Sequence, residues 1–163
     1  SVGDYRSRYL SQNNESVFGK IIKININNGN YNIISNGHRN PQGLYYDIDN
    51  DFLLSTDHGP LGGDEVNLIK LNQKKIPNYG WPVASYGEHY GGKKTKKNQI
   101  KYKKYPLLKS HKDNGFIEPL KFFPHSIGIS EIISFGNLGY LFSSLKEESI
   151  YFFDLKKKNK FKK

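Results

Sequence analysis

Cysteine is absent from the 163 residues, which excludes a disulfide framework and thiolate metal sites and leaves the redox compartment open. Methionine is absent too, and the first residue is Ser1. The expectation is a processed or internal piece of a longer chain. No apolar run reaches the ~18 residues of a membrane-crossing helix, and no leader pattern opens the sequence, so neither a membrane span nor an export segment is expected within it. Acidic side chains are the scarcer charge, 15 against 25 Lys and Arg, for a net charge of +10. Such an excess invites a nucleic-acid reading, but no helix-turn-helix, zinc or RNP-type pattern accompanies it. Much of the excess falls in 93–104 and 156–163, which read as a solvated loop and a tail. No nucleic-acid partner is expected.

What is present points to a β protein. Hydrophobic residues at 36% and aromatics at 14% can fill the core of one ordinary domain. In 20–26, Ile22, Ile24 and Ile26 alternate with Lys23 and Asn25, which predicts a strand with one buried face. Asn28-Gly29 follows as a hairpin turn. Residues 44–48 and 52–56 form two more strands joined at Asp49-Asn50-Asp51, and 66–71 a fourth. Residues 85–114 form a long basic, polar insertion without a period. Strand chemistry returns at 127–135, 140–145 and 150–155. No segment carries a sustained helical stripe, so the expected class is all-β.

A weak repeat narrows the architecture. The hairpin 44–56 is echoed by 132–144, with Leu53 matching Leu141 across 88 residues, or two periods of about 44, the size of a propeller blade. Propellers need about four or more blades of four strands, and this chain is too short for that. The expectation is part of a larger propeller, fewer than four blades, whose ring does not close and whose strand edges stay open.

Two polar clusters flank the second predicted hairpin: His38-Arg39-Asn40-Pro41-Gln42-Gly43 and Asp57-His58-Gly59-Pro60-Leu61-Gly62-Gly63-Asp64-Glu65. Arg39 offers a planar fork of donors suited to carboxylates, with the amides of Asn40 and Gln42 beside it. The cluster reads either as a cradle for an anionic cofactor or as a turn whose side chains bond neighbouring loops. Gly43 is expected to let the backbone turn before the strand. Around Gly59-Pro60 the chain presents carbonyls with few competing donors, next to the carboxylates Asp64 and Glu65. Oxygen donors of this kind suit Ca2+. His58 reads as structural or hydrogen-bonded to a carbonyl sooner than catalytic, Trp81 as an aromatic plug, and Lys146 as either an exposed lysine or a strand-end counterpart of His58 two repeats on, with His125 equally open between an ordinary and a functional role.

Together these motifs resemble the soluble PQQ-dependent sugar dehydrogenases (glucose/sorbosone and aldose sugar dehydrogenases). The resemblance is carried by Val17-Phe18-Gly19-Lys20-Ile21, by 37–43, by 57–65, by Asn78-Tyr79-Gly80-Trp81-Pro82, by 126–130 and by Ser144-Leu145-Lys146, and it spans nearly all of residues 1–163. Two departures stand out: Asp57 replaces a usual Glu, and His125 interrupts the motif around Ser126.

The resemblance implies a six-bladed β-propeller that carries PQQ and Ca2+. Arg39, Asn40, Gln42 and Lys146 would contact the cofactor, the carbonyls of Gly59 and Pro60 would hold its calcium, and Glu65 and Tyr79 match positions for a second calcium in some members. The implied reaction oxidises the anomeric hydroxyl of an aldose to a lactone in the periplasm, with an external electron acceptor. The general-base histidine of such enzymes has no counterpart here, so no catalytic residue is expected in the chain and the piece alone is expected to be inactive. The alternative is a non-catalytic propeller that binds sugar or protein.

Overall fold

In a computed structural model, which describes residues 1–91, 95–157 and 161–163, the chain forms three antiparallel sheets in sequence order. β1 (Lys20–Ile24) and β2 (Tyr31–Asn36) make a two-stranded ribbon. β3 (Pro41–Asp47), β4 (Phe52–Asp57), β5 (Asp64–Lys70) and β6 (Lys121–Phe123) make a four-stranded meander. β7 (Ile129–Ser134), β8 (Tyr140–Ser144) and β9 (Ser149–Phe153) make the third sheet. The all-β expectation holds, with one addition: the basic insertion folds a nine-residue helix, α1 (Lys96–Lys104), capped by Thr95 Oγ1, which accepts from Asn98 N at 3.2 Å. It has no apolar stripe to read, because five of its nine residues are lysine.

The echo between 44–56 and 132–144 is real in space, but its interval is not. The two hairpins fall in consecutive sheets, with β3 packed against β7. The 88 residues are therefore one sheet-to-sheet step, lengthened by the excursion between β5 and β6, and not two periods of 44. Lys146 stands one sheet after His58, not two. The first strand also differs from expectation. Ile21 is buried, whereas Ile24 and Ile26 are exposed, because a register shift at Ile21/Ile22 breaks the alternation. The Asn28-Gly29 turn does form, with Gly29 at φ +72°.

Leu54 and Val66 from the second sheet meet Ile129, Ile132, Phe142 and Phe153 from the third. Full burial of such side chains contributes about 1.5–3 kcal/mol each, so this seam dominates the packing. Polar contacts fix its register. Near the start of β3, Thr56 Oγ1 accepts from Gly43 N at 2.8 Å and donates to Ser130 O at 2.5 Å. At the far end, the Tyr140 hydroxyl donates to Asp47. Gly43 is needed for closeness and not for turning: it lies within β3, and a Cβ there would stand 2.7 Å from Ile132 N.

The N-terminal segment is tied down by an ammonium. Lys20 is fully buried, and its Nζ donates to Leu10 O, Ser11 O and Phe18 O, each at 2.9 Å. Burial lowers its pKa from 10.5 to about 8. The unfolded chain therefore holds this proton to higher pH than the folded one, and stability rises with pH across roughly 8 to 10. Urea unfolding should show that rise in the wild type and not in Lys20→Met. A wild-type curve that falls in step with the variant over this window refutes the assignment.

Candidate functional site: a recess where two sheets meet

Both polar clusters lie at one end of the second sheet because β3 begins where β4 ends, with Pro41 opposite Asp57. The Asp57 carboxylate builds the first loop: Oδ2 accepts from Arg39 N at 3.1 Å, and Oδ1 accepts from Asn40 N at 2.6 Å. His38 is buried behind it, its Nε2 2.8 Å from Ser35 Oγ, its Nδ1 3.3 Å from Asp57 Oδ2, and its ring stacked on Tyr79. Arg39 then projects outward with Nη1 donating to His58 O at 2.9 Å and its guanidinium 5.6 Å from the Trp81 ring centre. Trp81 is thus more than a plug. Its Nε1 donates to Asp4 Oδ2 at 2.8 Å, and Arg8 also lies over its ring.

Asp64, predicted to lie in a loop, is instead the first residue of β5 and fully buried. Its Oδ1 accepts from Gly59 N at 3.0 Å, and its Oδ2 accepts from Ile127 N at 2.9 Å and Gly128 N at 3.0 Å, with Ile129 N at 3.4 Å. One carboxylate thus joins the Gly59-Pro60 loop to the turn that opens the third sheet. Burial alone would raise its pKa, but the nearby His58 ring and these backbone donors bring it below the ordinary carboxylate value. The same turn positions Lys146, whose N donates to Ile127 O at 3.0 Å.

The glycines leave no room for side chains. Gly63 has φ +71°, and a Cβ there would stand 2.2 Å from Gly87 N. Here the insertion is stitched to the loop, Leu61 and Glu88 exchanging two backbone hydrogen bonds of 3.0 and 2.9 Å.

Arg39, Asn40, Gly59, Pro60 and Lys146 line a single recess of about 640 Å³ including its open mouth, a size suited to a small-molecule ligand. Gln42 is not among them. It sits in the bulged start of β3, is exposed, and lines an adjoining recess shared with Arg39 and Asn40. Glu65 and Tyr79 line a neighbouring, narrow cavity with Asp57 and His111, which shares Arg39, His58 and Gly59 with the recess. Burial first, and Asp57 second, push the Glu65 pKa well up. Its Oε1 lies 3.4 Å from Nε2 of His111, whose own pKa burial lowers. The Tyr79 hydroxyl donates to Leu68 O at 2.6 Å.

Among the described residues, no hydrogen bond is donated to the carbonyl oxygen of Gly59 or Pro60, and no group of three or more His, Asp or Glu could hold a metal ion. Two unpaired carbonyls are hard oxygen donors that fit part of a Ca2+ shell, with the remaining donors left to a ligand and water. Four lining residues escaped sequence reasoning: Asp64 as a hub, Gly128, Ser126 (whose Oγ accepts from Gly62 N at 2.7 Å) and Tyr90. Only Tyr90 lacked any signal, since the aperiodic insertion carries it. His125 is exposed, and its neighbour Ser126 makes the contact with the glycine loop.

Comparison with known proteins gives a consistent answer. A sequence profile of the family described as Glucose / Sorbosone dehydrogenase matches residues 1–163. The aldose sugar dehydrogenase of Escherichia coli is 32% identical over 105 residues, 56% of this chain and 27% of that protein. Quinoprotein glucose dehydrogenase B of Acinetobacter calcoaceticus is 40% identical over 85 residues, 45% of this chain and 17% of that one. Among solved structures, a glucose dehydrogenase superposes with TM-score 0.76 at 24% identity, over 98% of this chain and 48% of that one. The PQQ-bound aldose sugar dehydrogenase of Streptomyces coelicolor follows at TM-score 0.66 and 26% identity, over 96% of this chain and 41% of that one. The chain therefore spans about half the length of the solved structures it matches, and its three open sheets are part of a six-bladed β-propeller. It belongs to the glucose/sorbosone dehydrogenase family of soluble PQQ-dependent sugar dehydrogenases.

Proposed function

We propose that residues 1–163 form the cofactor-bearing part of a periplasmic PQQ- and Ca2+-dependent aldose dehydrogenase. The observation that carries this reading is the meeting of Arg39, Asn40, Gly59, Pro60 and Lys146 around one recess, where no hydrogen bond among the described residues is donated to the Gly59 or Pro60 carbonyl. Two cationic side chains suit a ligand with several carboxylates. The carbonyl pair suits the hard cation that would accompany it, and Gln42 reaches the same ligand from the adjoining recess. Glu65 and Tyr79 are proposed for a second, structural calcium. When bound, PQQ with Ca2+ supplies a polarised ortho-quinone that accepts hydride. This chain's residues bind and orient; they do not take the substrate's proton. The overall change is loss of hydride from C1 and of the proton from its hydroxyl, giving the lactone, with the electrons passing to an external acceptor. The base for that proton lies outside these residues.

The test is expression of the reading frame that contains this chain, loading with PQQ and Ca2+, and dye reduction with aldoses. Sugar-dependent reduction is expected. A folded, PQQ-loaded protein that reduces no dye with any aldose rejects the enzyme and leaves the non-catalytic, sugar- or protein-binding propeller.

A further inference from the structure

The rim of the recess holds an aromatic ring with no assigned role. Tyr90 lines it and is 57% exposed. Among the described residues its hydroxyl has no hydrogen-bond partner, and its ring stacks on no other ring. Its backbone, by contrast, is held from three sides. Residue 88 is paired to Leu61 in the glycine loop. The buried His89 ring sits between Arg8 Nη1 at 2.7 Å and Tyr105 O at 2.8 Å, and the backbone N–H of His89 donates to the Tyr102 hydroxyl at 3.1 Å. The Tyr90 carbonyl accepts from Asn98 Nδ2 of α1 at 2.9 Å. The insertion therefore holds one exposed aromatic side chain at the mouth of a polar recess.

We propose that Tyr90 is the platform on which the pyranose ring of the substrate rests, a reading built on the dehydrogenase function above. The groups fit the roles. The floor of the recess contains the buried Pro60 and Asp64, and Arg39 and Lys146 supply cations for an anionic cofactor. Arg39, Asp64 and Lys146 are charged and Pro60 is buried, which leaves Tyr90 as the exposed ring of the lining. An aromatic face carries partial negative charge and attracts C–H bonds of partial positive charge, such as those on one face of a pyranose. A ring whose backbone is fixed and whose side chain is largely exposed does this at little ordering cost.

In the loaded holoenzyme, Tyr90→Ala should raise KM for glucose about five- to tenfold, the size expected of one aromatic contact, with kcat within about threefold of wild type. The dissociation constant of 1-deoxyglucose, which lacks the anomeric hydroxyl, should rise by the same factor in calorimetry. PQQ affinity should not change, and Tyr90→Phe should behave as wild type. An unchanged KM in Tyr90→Ala, or a loss that appears in PQQ affinity instead, overturns the proposal. Wild-type protein without turnover sinks the dehydrogenase reading and this one with it, whereas turnover with unaltered KM sinks Tyr90 alone.

Discussion

Asp64→Ala should destabilise the protein by about 3–5 kcal/mol, the range for removing one partner of a buried charged network. The side chain is fully buried, and alanine leaves the N–H groups of Gly59, Ile127 and Gly128 inside without an acceptor. Each such orphan costs about 1–3 kcal/mol, and a water admitted to the gap recovers part of the sum. Asp64→Asn should lose less, about 1–2 kcal/mol: its carbonyl can serve the Ile127–Gly128 turn, but its amide then faces the N–H of Gly59 as donor against donor. Urea unfolding measures both, with Asp49→Ala, an exposed turn position, as the control expected to lie within about 0.5 kcal/mol of wild type. The acid limb adds a second signature. Because the folded pKa lies below the ordinary 3.8, the stabilisation is complete above that value and disappears as pH falls through the folded pKa. Wild type should thus lose stability in strong acid that Asp64→Asn never had. Equal stability of Asp64→Ala and wild type at pH 7 would remove the carboxylate from the centre of the site.

How much of this was legible in the sequence follows from the range of each interaction. The strand pairs 44–48 with 52–56 and 140–145 with 150–155 could be read because alternation and turn residues are local signals. The ends of strands could not. Pro41, Gln42 and Gly43 read as loop but belong to β3, since the bulge that carries them is set by pairing with Asp57 and by the approach of β7. The third strand-to-sheet pairing was hidden for the same reason: β6 is three residues long and joins β5 only after the whole insertion. The site was legible as motifs but not as a mechanism of assembly. Asp57 read only as a departure from a usual Glu, yet the structure shows it shaping the Arg39-Asn40 turn through two backbone N–H groups. Nothing local in the sequence says that Asp64 reaches residues 127 and 128 across 63 positions of chain.

Arg39→Ala should weaken PQQ binding about 30- to 150-fold while lowering stability by only about 1 kcal/mol. The two effects separate because the side chain has two kinds of contact. Among the described residues, the guanidinium makes one hydrogen bond, to His58 O, and a partly exposed approach to Trp81, together about 1 kcal/mol. Toward a carboxylate-bearing ligand it offers a charge-assisted pair of donors, about 2–3 kcal/mol, which is that fold-change in affinity. Lys146→Met should cost less, about tenfold, because its ammonium is a strongly hydrated point charge on a flexible stem. Arg39→Lys should fall between wild type and alanine, since it keeps the charge but loses the planar fork. Calorimetric titration of PQQ in the presence of Ca2+ measures each, and repetition at higher salt should shrink the lysine effect more than the arginine effect, because screening acts most on the exposed charge. Loss of affinity no larger than the loss of stability would mean that Arg39 only braces the His58 turn. In that case the recess would not be a carboxylate site, whatever the rest of the propeller does.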